Sequence, residues 1–135
     1  MTPESSQPAP DPDSAPAARI LIVEDEALVA MIMVDVVEET GCHVVGPAEG
    51  LGMAIEFART EPKLDGAILD LNLSGNQAYP VAEILKQRGV PFVFVTGYGS
   101  NELAPPYDGH PSITKPFRVE ELEDAVRRML AGNAA

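Results

Sequence analysis

The chain has 135 residues, of which 21 are acidic and 9 are basic, and its net charge is −12. This length suffices for one domain with a buried core and is too short for two. The strong negative charge argues against a surface that binds DNA or RNA. The single cysteine, Cys42, excludes an internal disulfide and is typical of a reducing compartment. No apolar run is long enough to span a membrane and no signal peptide opens the chain, so we expect a cytoplasmic protein that does not bind membranes.

The first residues differ in composition from the rest of the chain. Five prolines lie among the first 16 residues, and none of these residues is basic. Such a segment cannot bury enough apolar surface to offset the entropy lost on ordering. We therefore predict a disordered proline-rich tail over residues 1–17 and one folded domain over residues 18–132.

Four short segments, three of them strongly apolar, each end at a polar side chain that can bind ions or phosphates. They are 20–23 before Glu24 and Asp25, 66–69 before Asp70, 92–95 before Thr96, and 112–114 before Lys115. Each is short enough for a buried strand. The carboxyl ends of parallel strands meet at one edge of a sheet, where ligands gather. The sequence therefore predicts a site that binds a divalent cation and a phosphoryl group carried by Asp70.

Helical patterns alternate with these strands. We predict helices near 26–41 and 48–60, a third from Pro80 to just before Gly89, and a fourth over 119–130, with a further strand at 43–46. Alternating strands and helices are typical of an α/β fold with a doubly wound parallel sheet. Glycines and prolines interrupt residues 97–110, where we expect one turn or a mobile loop in place of a regular helix.

The first predicted helix is apolar on all sides. We assign one stripe to the core, namely Val29, Ile32, Met33 and Val36. A second stripe cannot face the same core and is predicted to be a partner surface, namely Ala27, Met31 and Val34. Cover of this second stripe by the final helix or by the tail is the alternative.

The order of an acidic pair, an aspartate, a threonine and Lys115-Pro116 resembles the receiver domains of two-component response regulators. The resemblance extends over roughly residues 18–131. It implies a flavodoxin-like fold whose five parallel strands have the order 2-1-3-4-5, with a shortened or disordered fourth helix in this chain. Because the chain stops at Ala135, we expect a stand-alone regulator that signals by protein contact or acts as a phosphate shuttle or sink in a phosphorelay.

The resemblance also assigns roles to individual residues. Asp70 is the expected phosphoacceptor, and Thr96 and Lys115 are expected to contact the phosphoryl group. Mg²⁺, or Mn²⁺, is the expected cofactor, since a hard cation relieves the repulsion of crowded carboxylates. Its expected ligands are Asp25, Asp70, Glu24 through water, and the backbone carbonyl of Asn72. By the same resemblance the Lys115–Pro116 peptide is cis.

The segment 94–98, Phe-Val-Thr-Gly-Tyr, further resembles a receiver subgroup whose signature is Phe-Ala-Thr-Gly, a variable residue and Tyr, with one residue fewer here. Members of that subgroup are served by histidine kinases of the HWE type. Ser112 stands where many receivers have an aromatic residue that swings inward on phosphorylation. Tyr98 is therefore expected to take over that role or to control water at the phosphoryl group, and we treat Tyr98 and Ser112 as modulators.

Two other functions remain open from the sequence. A phosphatase of the haloacid-dehalogenase type also uses an aspartate after a strand, but it requires a second acid at position 72, where this chain has asparagine. A degenerate receiver would bind partners without being phosphorylated. For the favoured function we expect a histidine kinase and a phosphotransfer protein as partners, and a monomer or weak dimer. We do not expect a turnover enzyme.

Overall fold

A parallel five-stranded sheet is the framework of the computed structural model, which describes residues 17–97 and 103–132. The strands are β1 (Arg19–Val23), β2 (His43–Ala48), β3 (Gly66–Asp70), β4 (Asn72–Leu73), β5 (Asn76–Gln77), β6 (Phe92–Thr96) and β7 (Ser112–Thr114). The main sheet has the order β2-β1-β3-β6-β7, while β4 and β5 form a separate antiparallel hairpin. If only the strands of the main sheet are numbered, this is the predicted order 2-1-3-4-5, and the predicted doubly wound fold is confirmed.

Four helices cover the two faces of the sheet within the described residues. They are α1 (Ala27–Glu39), α2 (Leu51–Thr60), α3 (Tyr79–Gln87) and α4 (Val119–Leu130). Helices α2 and α3 pack on one apolar cluster, and α1 and α4 pack on the other. All five residues of β3 are buried, since this central strand has neighbouring strands on both sides and helices on both faces.

Close packing of α4 on the sheet depends on a glycine at the start of β3. A Cβ atom at Gly66 would lie 3.2 Å from both the Ile20 side chain and the Met129 sulfur. Met129 is buried in α4, so a larger residue at position 66 would require the ends of the Ile20 and Met129 side chains to shift.

The predicted core stripe of α1 is partly wrong. The buried residues of α1 are Ala30, Met33, Val36 and Val37. Ile32 is 46% exposed and Val29 is half-buried, so the helix is rotated relative to the prediction. An apolar pattern on all sides does not determine which face meets the core, and the sheet and α4 decide it here.

The predicted start of α2 is also wrong. The helix begins at Leu51, and Ala48 is instead the last residue of β2. The carbonyl of Ala48 accepts a hydrogen bond of 2.9 Å from the backbone N–H of Glu24. Pairing with β1 therefore extends β2 past Gly46 and Pro47, where the sequence pattern suggested that the strand ends.

Residues 103–110 form turns without a helix, as predicted for this part of the segment. Leu103 and Tyr107 are buried, and the Tyr107 ring stacks on Tyr79 at a centroid distance of 5.6 Å. The Tyr107 hydroxyl donates to Glu83 at 3.0 Å, and the Ala104 N–H donates to the Tyr79 hydroxyl at 2.8 Å. These contacts hold the turns against α3.

The predicted tail falls almost entirely on residues 1–16, which lie outside the described residues, as do residues 98–102. Among residues 17–97 and 103–132, no helix combines the length and the apolar character needed to cross a membrane.

Arg88 ties the end of α3 to the end of α2. Its guanidinium donates to the carbonyls of Ala58 at 2.6 Å, Glu61 at 2.8 Å and Pro62 at 3.3 Å. These carbonyls belong to the last turn of α2 and the loop after it, where helical hydrogen bonds are missing.

We predict that Arg88→Ala lowers the free energy of unfolding by about 1–2 kcal/mol, because carbonyls in and after the last turn of α2 lose a charged donor. Urea unfolding measures this change. Arg59→Ala is the matched control, since Arg59 is an exposed arginine on α2, and we expect a change within about 0.5 kcal/mol for it. Equal losses in the two variants would contradict a capping role for Arg88.

Candidate functional site

Three carboxylates meet where β1 and β3 end. Asp70 is the last residue of β3 and is buried, while Glu24 directly follows β1 and is fully buried. Asp25, next in the chain, is half-buried. One carboxylate oxygen from each of the three lies within 4.8 Å of the others. The parallel pairing of β1 with β3 thus brings together the acidic residues that the sequence placed at one edge.

The ammonium of Lys115 lies among carboxylates. Its Nζ atom is 3.1 Å from Asp70 Oδ2, and it is 3.1 and 3.3 Å from the two carboxylate oxygens of Glu24. It also donates to Glu26 Oε1 at 2.9 Å, a contact that the sequence analysis missed. The only signal for it was a third acid in the run Glu24-Asp25-Glu26. The Lys115–Pro116 peptide is cis, as the resemblance implied.

Thr96 lies at the same edge, as the last residue of β6 next to β3. Its side chain is fully buried, and its hydroxyl oxygen has no hydrogen-bond partner among the described residues. A buried hydroxyl without a partner is costly, so Thr96 is poised to bond to a group that enters the site.

A tight turn positions Asp25 and Asp70. Ser74 has a positive φ of 51°, and its hydroxyl donates to Asp25 Oδ2 at 2.8 Å. The backbone N–H of Asn72 donates to Asp70 Oδ1 at 3.3 Å, and Asn72 pairs with Gln77 in the hairpin that follows. The hairpin therefore fixes the backbone of Asn72, whose carbonyl is a predicted metal ligand, next to the Asp70 carboxylate.

Burial disfavours the ionised form of both inner carboxylates, Glu24 and Asp70. Burial, a hydrogen bond shared with Asp70 and the charge of Asp70 raise the pKa of Glu24 to about 7. Burial also raises the pKa of Asp70 above its usual value, although hydrogen bonding to Glu24 and the Lys115 ammonium oppose this. Partial burial of Asp25 is outweighed by hydrogen bonds, chiefly from Ser74, which hold its pKa below the usual range. Burial opposes the charge on Lys115, but its carboxylate partners raise the pKa of this ammonium.

The donor set of this edge fits a hard divalent cation. All ligand atoms are oxygens, and three carboxylates provide more negative charge than one ammonium neutralises. Mg²⁺ prefers oxygen ligands and retains waters, so Glu24, Asp25 and Asp70 are the residues that would hold it.

The other residues that the sequence predicted to be functional lie in β7, on α1 or outside the described residues. Ser112 is half-buried in β7, two residues before the strand ends, and Tyr98 lies outside the described residues. Of the predicted partner surface on α1, Met31 is 62% exposed, Ala27 is also exposed, and Val34 is half-buried. Leu28, which the sequence analysis did not select, is 76% exposed.

Comparison with known proteins identifies the class of this fold and site. The family model described as the response regulator receiver domain matches residues 20–127. The chain therefore belongs to the response regulator receiver family of two-component systems. Receiver domains bind Mg²⁺ at an acidic pocket and interact with histidine kinases or phosphotransfer proteins.

Individual relatives cover most of the chain. The transcriptional regulatory protein PdtaR of Mycobacterium tuberculosis is 32% identical over 123 residues, which is 88% of this chain and 60% of PdtaR. The phyllosphere-induced regulator PhyR of Methylorubrum extorquens is 34% identical over 84% of this chain and 44% of PhyR. The solution structure of SdrG from Sphingomonas melonis has a TM-score of 0.73 and 36% identity, covering 84% of this chain and 97% of that one. The chain thus spans about half the length of the curated relatives PdtaR and PhyR.

We predict that Asp70→Asn stabilises the metal-free protein. The raised pKa values of Asp70 and Glu24 mean that their ionised forms are disfavoured in the folded state, so removing one charge raises the free energy of unfolding. An increase of about 1 kcal/mol, within the usual range of single stabilising substitutions, is expected in urea unfolding at pH 8 with chelator. Asp108→Asn makes the same change at an exposed site and should have little effect. A loss of stability in Asp70→Asn would show that its contact with Lys115 outweighs the repulsion.

Proposed function

We propose that this receiver accepts a phosphoryl group on Asp70 from a phosphohistidine, with Mg²⁺ held by its acidic cluster. The observation that carries this proposal is the convergence of Asp70, two further carboxylates and Lys115 at one edge of the sheet. The partnerless hydroxyl of Thr96 supports the same function, since a phosphoryl oxygen would supply its partner.

In the proposed reaction, a carboxylate oxygen of Asp70 attacks the phosphorus of the phosphohistidine in line. The bond from this oxygen to phosphorus forms as the bond from phosphorus to the imidazole nitrogen breaks. The imidazole leaves with the electron pair of that bond and takes up a proton from water. The product on this chain is an aspartyl phosphate at Asp70.

The remaining side chains act on the phosphoryl oxygens. Lys115 provides a compact charge already 3.1 Å from Asp70 Oδ2, and its ammonium can rotate its donors towards a phosphoryl oxygen. Thr96 donates its hydroxyl to another of these oxygens. Glu24 and Asp25, together with Asp70 and the Asn72 carbonyl, would hold the cation. A bound Mg²⁺ neutralises charge that builds on the phosphoryl oxygens.

Support also comes from a relative. A structure of SdrG in a BeF₃-activated conformation is 36% identical to this chain, with a TM-score of 0.70. Because beryllofluoride imitates a phosphoryl group on a carboxylate, we propose that Asp70 binds this anion too.

We further propose a kinase of the HWE type as donor, on the basis of the segment 94–98. Its docking surface would be the exposed apolar side of α1, which includes Ala27, Met31 and Val34. Of the six large apolar side chains that are exposed among the described residues, three lie on this helix, and an apolar surface of this kind commonly marks a partner site. The donor imidazole must reach Asp70, and only three residues separate the end of β1 from the start of α1, beside this edge. Tyr98 and Ser112 remain proposed modulators.

The alternatives have less support. A haloacid-dehalogenase-type phosphatase lacks its second acid, since position 72 is asparagine, and the receiver family model matches most of the chain. A degenerate receiver does not require the complete set of Asp70, Thr96 and Lys115, yet these residues lie at the same edge.

We predict that incubation with acetyl phosphate and Mg²⁺ adds one phosphoryl group per chain, and that intact-mass measurement detects it. Asp70→Asn, or wild type in excess chelator, should show no addition, because the nucleophile or the cation is missing. Asp108→Asn is the control and should be phosphorylated like wild type. Full modification of Asp70→Asn would overturn the assignment of the phosphoacceptor, and modification in chelator would overturn the need for a cation.

We predict that Met31→Glu slows phosphotransfer from the cognate kinase at least tenfold, because a charge in the apolar docking surface costs about 1.4 kcal/mol or more on association. Radiolabelled transfer measures this rate. Phosphorylation by acetyl phosphate, which needs no docking, should stay unchanged. Met53→Glu on α2, an exposed methionine on the opposite face of the sheet, is the matched control. Equal losses with both donors would indicate misfolding, and equal effects of the two substitutions would contradict docking on α1.

A further inference from the structure

Glu26 binds the ammonium of Lys115, although the proposed phosphoryl transfer has no use for this carboxylate. Lys115 Nζ donates to Glu26 Oε1 at 2.9 Å, to Asp70 Oδ2 at 3.1 Å and to Glu24 Oε2 at 3.3 Å. The contact with Glu26 is the shortest of the three. It therefore affects where the ammonium rests before a phosphoryl group arrives.

An ammonium has three N–H donors and no acceptor. In the structure, three carboxylates occupy these donors, so a phosphoryl oxygen on Asp70 competes with them for the ammonium of Lys115. The Glu26 side chain is 63% exposed, whereas those of Glu24 and Asp70 are 0% and 7% exposed. Water can replace the ammonium at Glu26 with little cost, but it cannot do so at the two buried carboxylates.

We propose that Glu26 is a positioning residue that restrains Lys115 in the unphosphorylated receiver and releases it when a phosphoryl group occupies Asp70. Glu26 then competes with the phosphoryl oxygens for the same ammonium, and it weakens their binding. This inference rests on the proposed function, because it requires a phosphoryl group at Asp70.

The local structure of Glu26 allows a clean test. Glu26 is the N-cap residue of α1, but its side chain makes no capping hydrogen bond, so its replacement removes no cap. Its backbone N–H donates to Glu24 Oε2 at 3.0 Å, and this bond persists whatever the side chain. Its backbone is extended, with φ of −87° and ψ of 114°, which other residues adopt without strain.

The experiment measures the dissociation constant of beryllofluoride at saturating Mg²⁺ by NMR titration of the full chain. We expect Glu26→Ala to tighten binding about two- to fivefold, the range that corresponds to an exposed ion pair. Glu26→Asp keeps the charge but shortens the side chain, and it should tighten binding in the same direction. Glu49→Ala is the control, because it removes an exposed carboxylate that makes no contact with Lys115 in the structure.

A double-mutant cycle shows whether Glu26 acts through Lys115. In a Lys115→Ala background, Glu26→Ala should leave the dissociation constant unchanged, because the restrained ammonium is gone. The inference is overturned if Glu26→Ala still tightens binding in the Lys115→Ala background, or if Glu49→Ala has the same effect as Glu26→Ala. In either case the carboxylate acts by its negative charge alone and not by its contact with Lys115. If Lys115→Ala binds too weakly to measure, the Glu26→Asp variant decides: unchanged or weaker binding would overturn the inference.

The outcomes separate this inference from the proposed function. Failure of the wild-type protein both to bind beryllofluoride with Mg²⁺ and to take up a phosphoryl group would overturn the function, and the inference with it. Normal binding by wild type, with no change in Glu26→Ala, would overturn the role of Glu26 alone.

Discussion

Two buried carboxylates with a single ammonium between them are the constraint on which the rest of this structure depends. Asp70 and Glu24 both lie inside the protein, and burial raises both of their pKa values, while the charge of Asp70 raises that of Glu24 further. Lys115 reduces this cost without removing it, because one positive charge faces two buried carboxylates and an exposed one. Such an arrangement lowers stability in the absence of a cation, and proteins retain it where a site requires it. The large apolar clusters on both faces of the sheet offset this local cost.

Backbone hydrogen bonds just beyond the strand ends hold these side chains in place. The N–H of Glu24 donates to Ala48, and the N–H of Lys115 donates to Thr96 at 2.7 Å. The residue after Asp70, Leu71, donates to Val95 at 2.9 Å. Each bond continues the pairing of two neighbouring strands by one residue. The reacting groups are thus carried by the hydrogen-bonded sheet, which favours a site of defined geometry.

The sheet and the edge of the site were predictable because a short apolar run indicates a buried strand, and the polar residue that ends it indicates a functional group at the edge of the sheet. The strand order came from the family resemblance and agrees with the structure. The rotation of α1 was not predictable, because its apolar residues surround the helix and only the sheet and α4 select Ala30 and Val37 for the core. The contact of Glu26 with Lys115 joins residues 89 positions apart, and no local sequence pattern predicts a contact between such distant residues. The turns at 103–110 depend on aromatic stacking with α3, which is equally non-local.

The first turn of α1 joins the chemistry of the site to the surface of the protein. Lys115 borders an open groove together with Val29 and Ile32 of α1 and Val119 of α4. A partner that covers the apolar side chains of this groove would also remove water from around Lys115. Less water strengthens every ion pair of this ammonium, including a pair with an incoming phosphoryl group. Because Glu26 is the most exposed of its carboxylate partners, its contact depends most on that water. A partner in this groove would therefore strengthen the contact of Lys115 with Glu26 as well as its pair with a phosphoryl oxygen. Val29 and Ile32 line this groove, whereas Ala27, Met31 and Val34 line a separate one, so docking on the proposed surface leaves the water around Glu26 in place and its release of Lys115 possible.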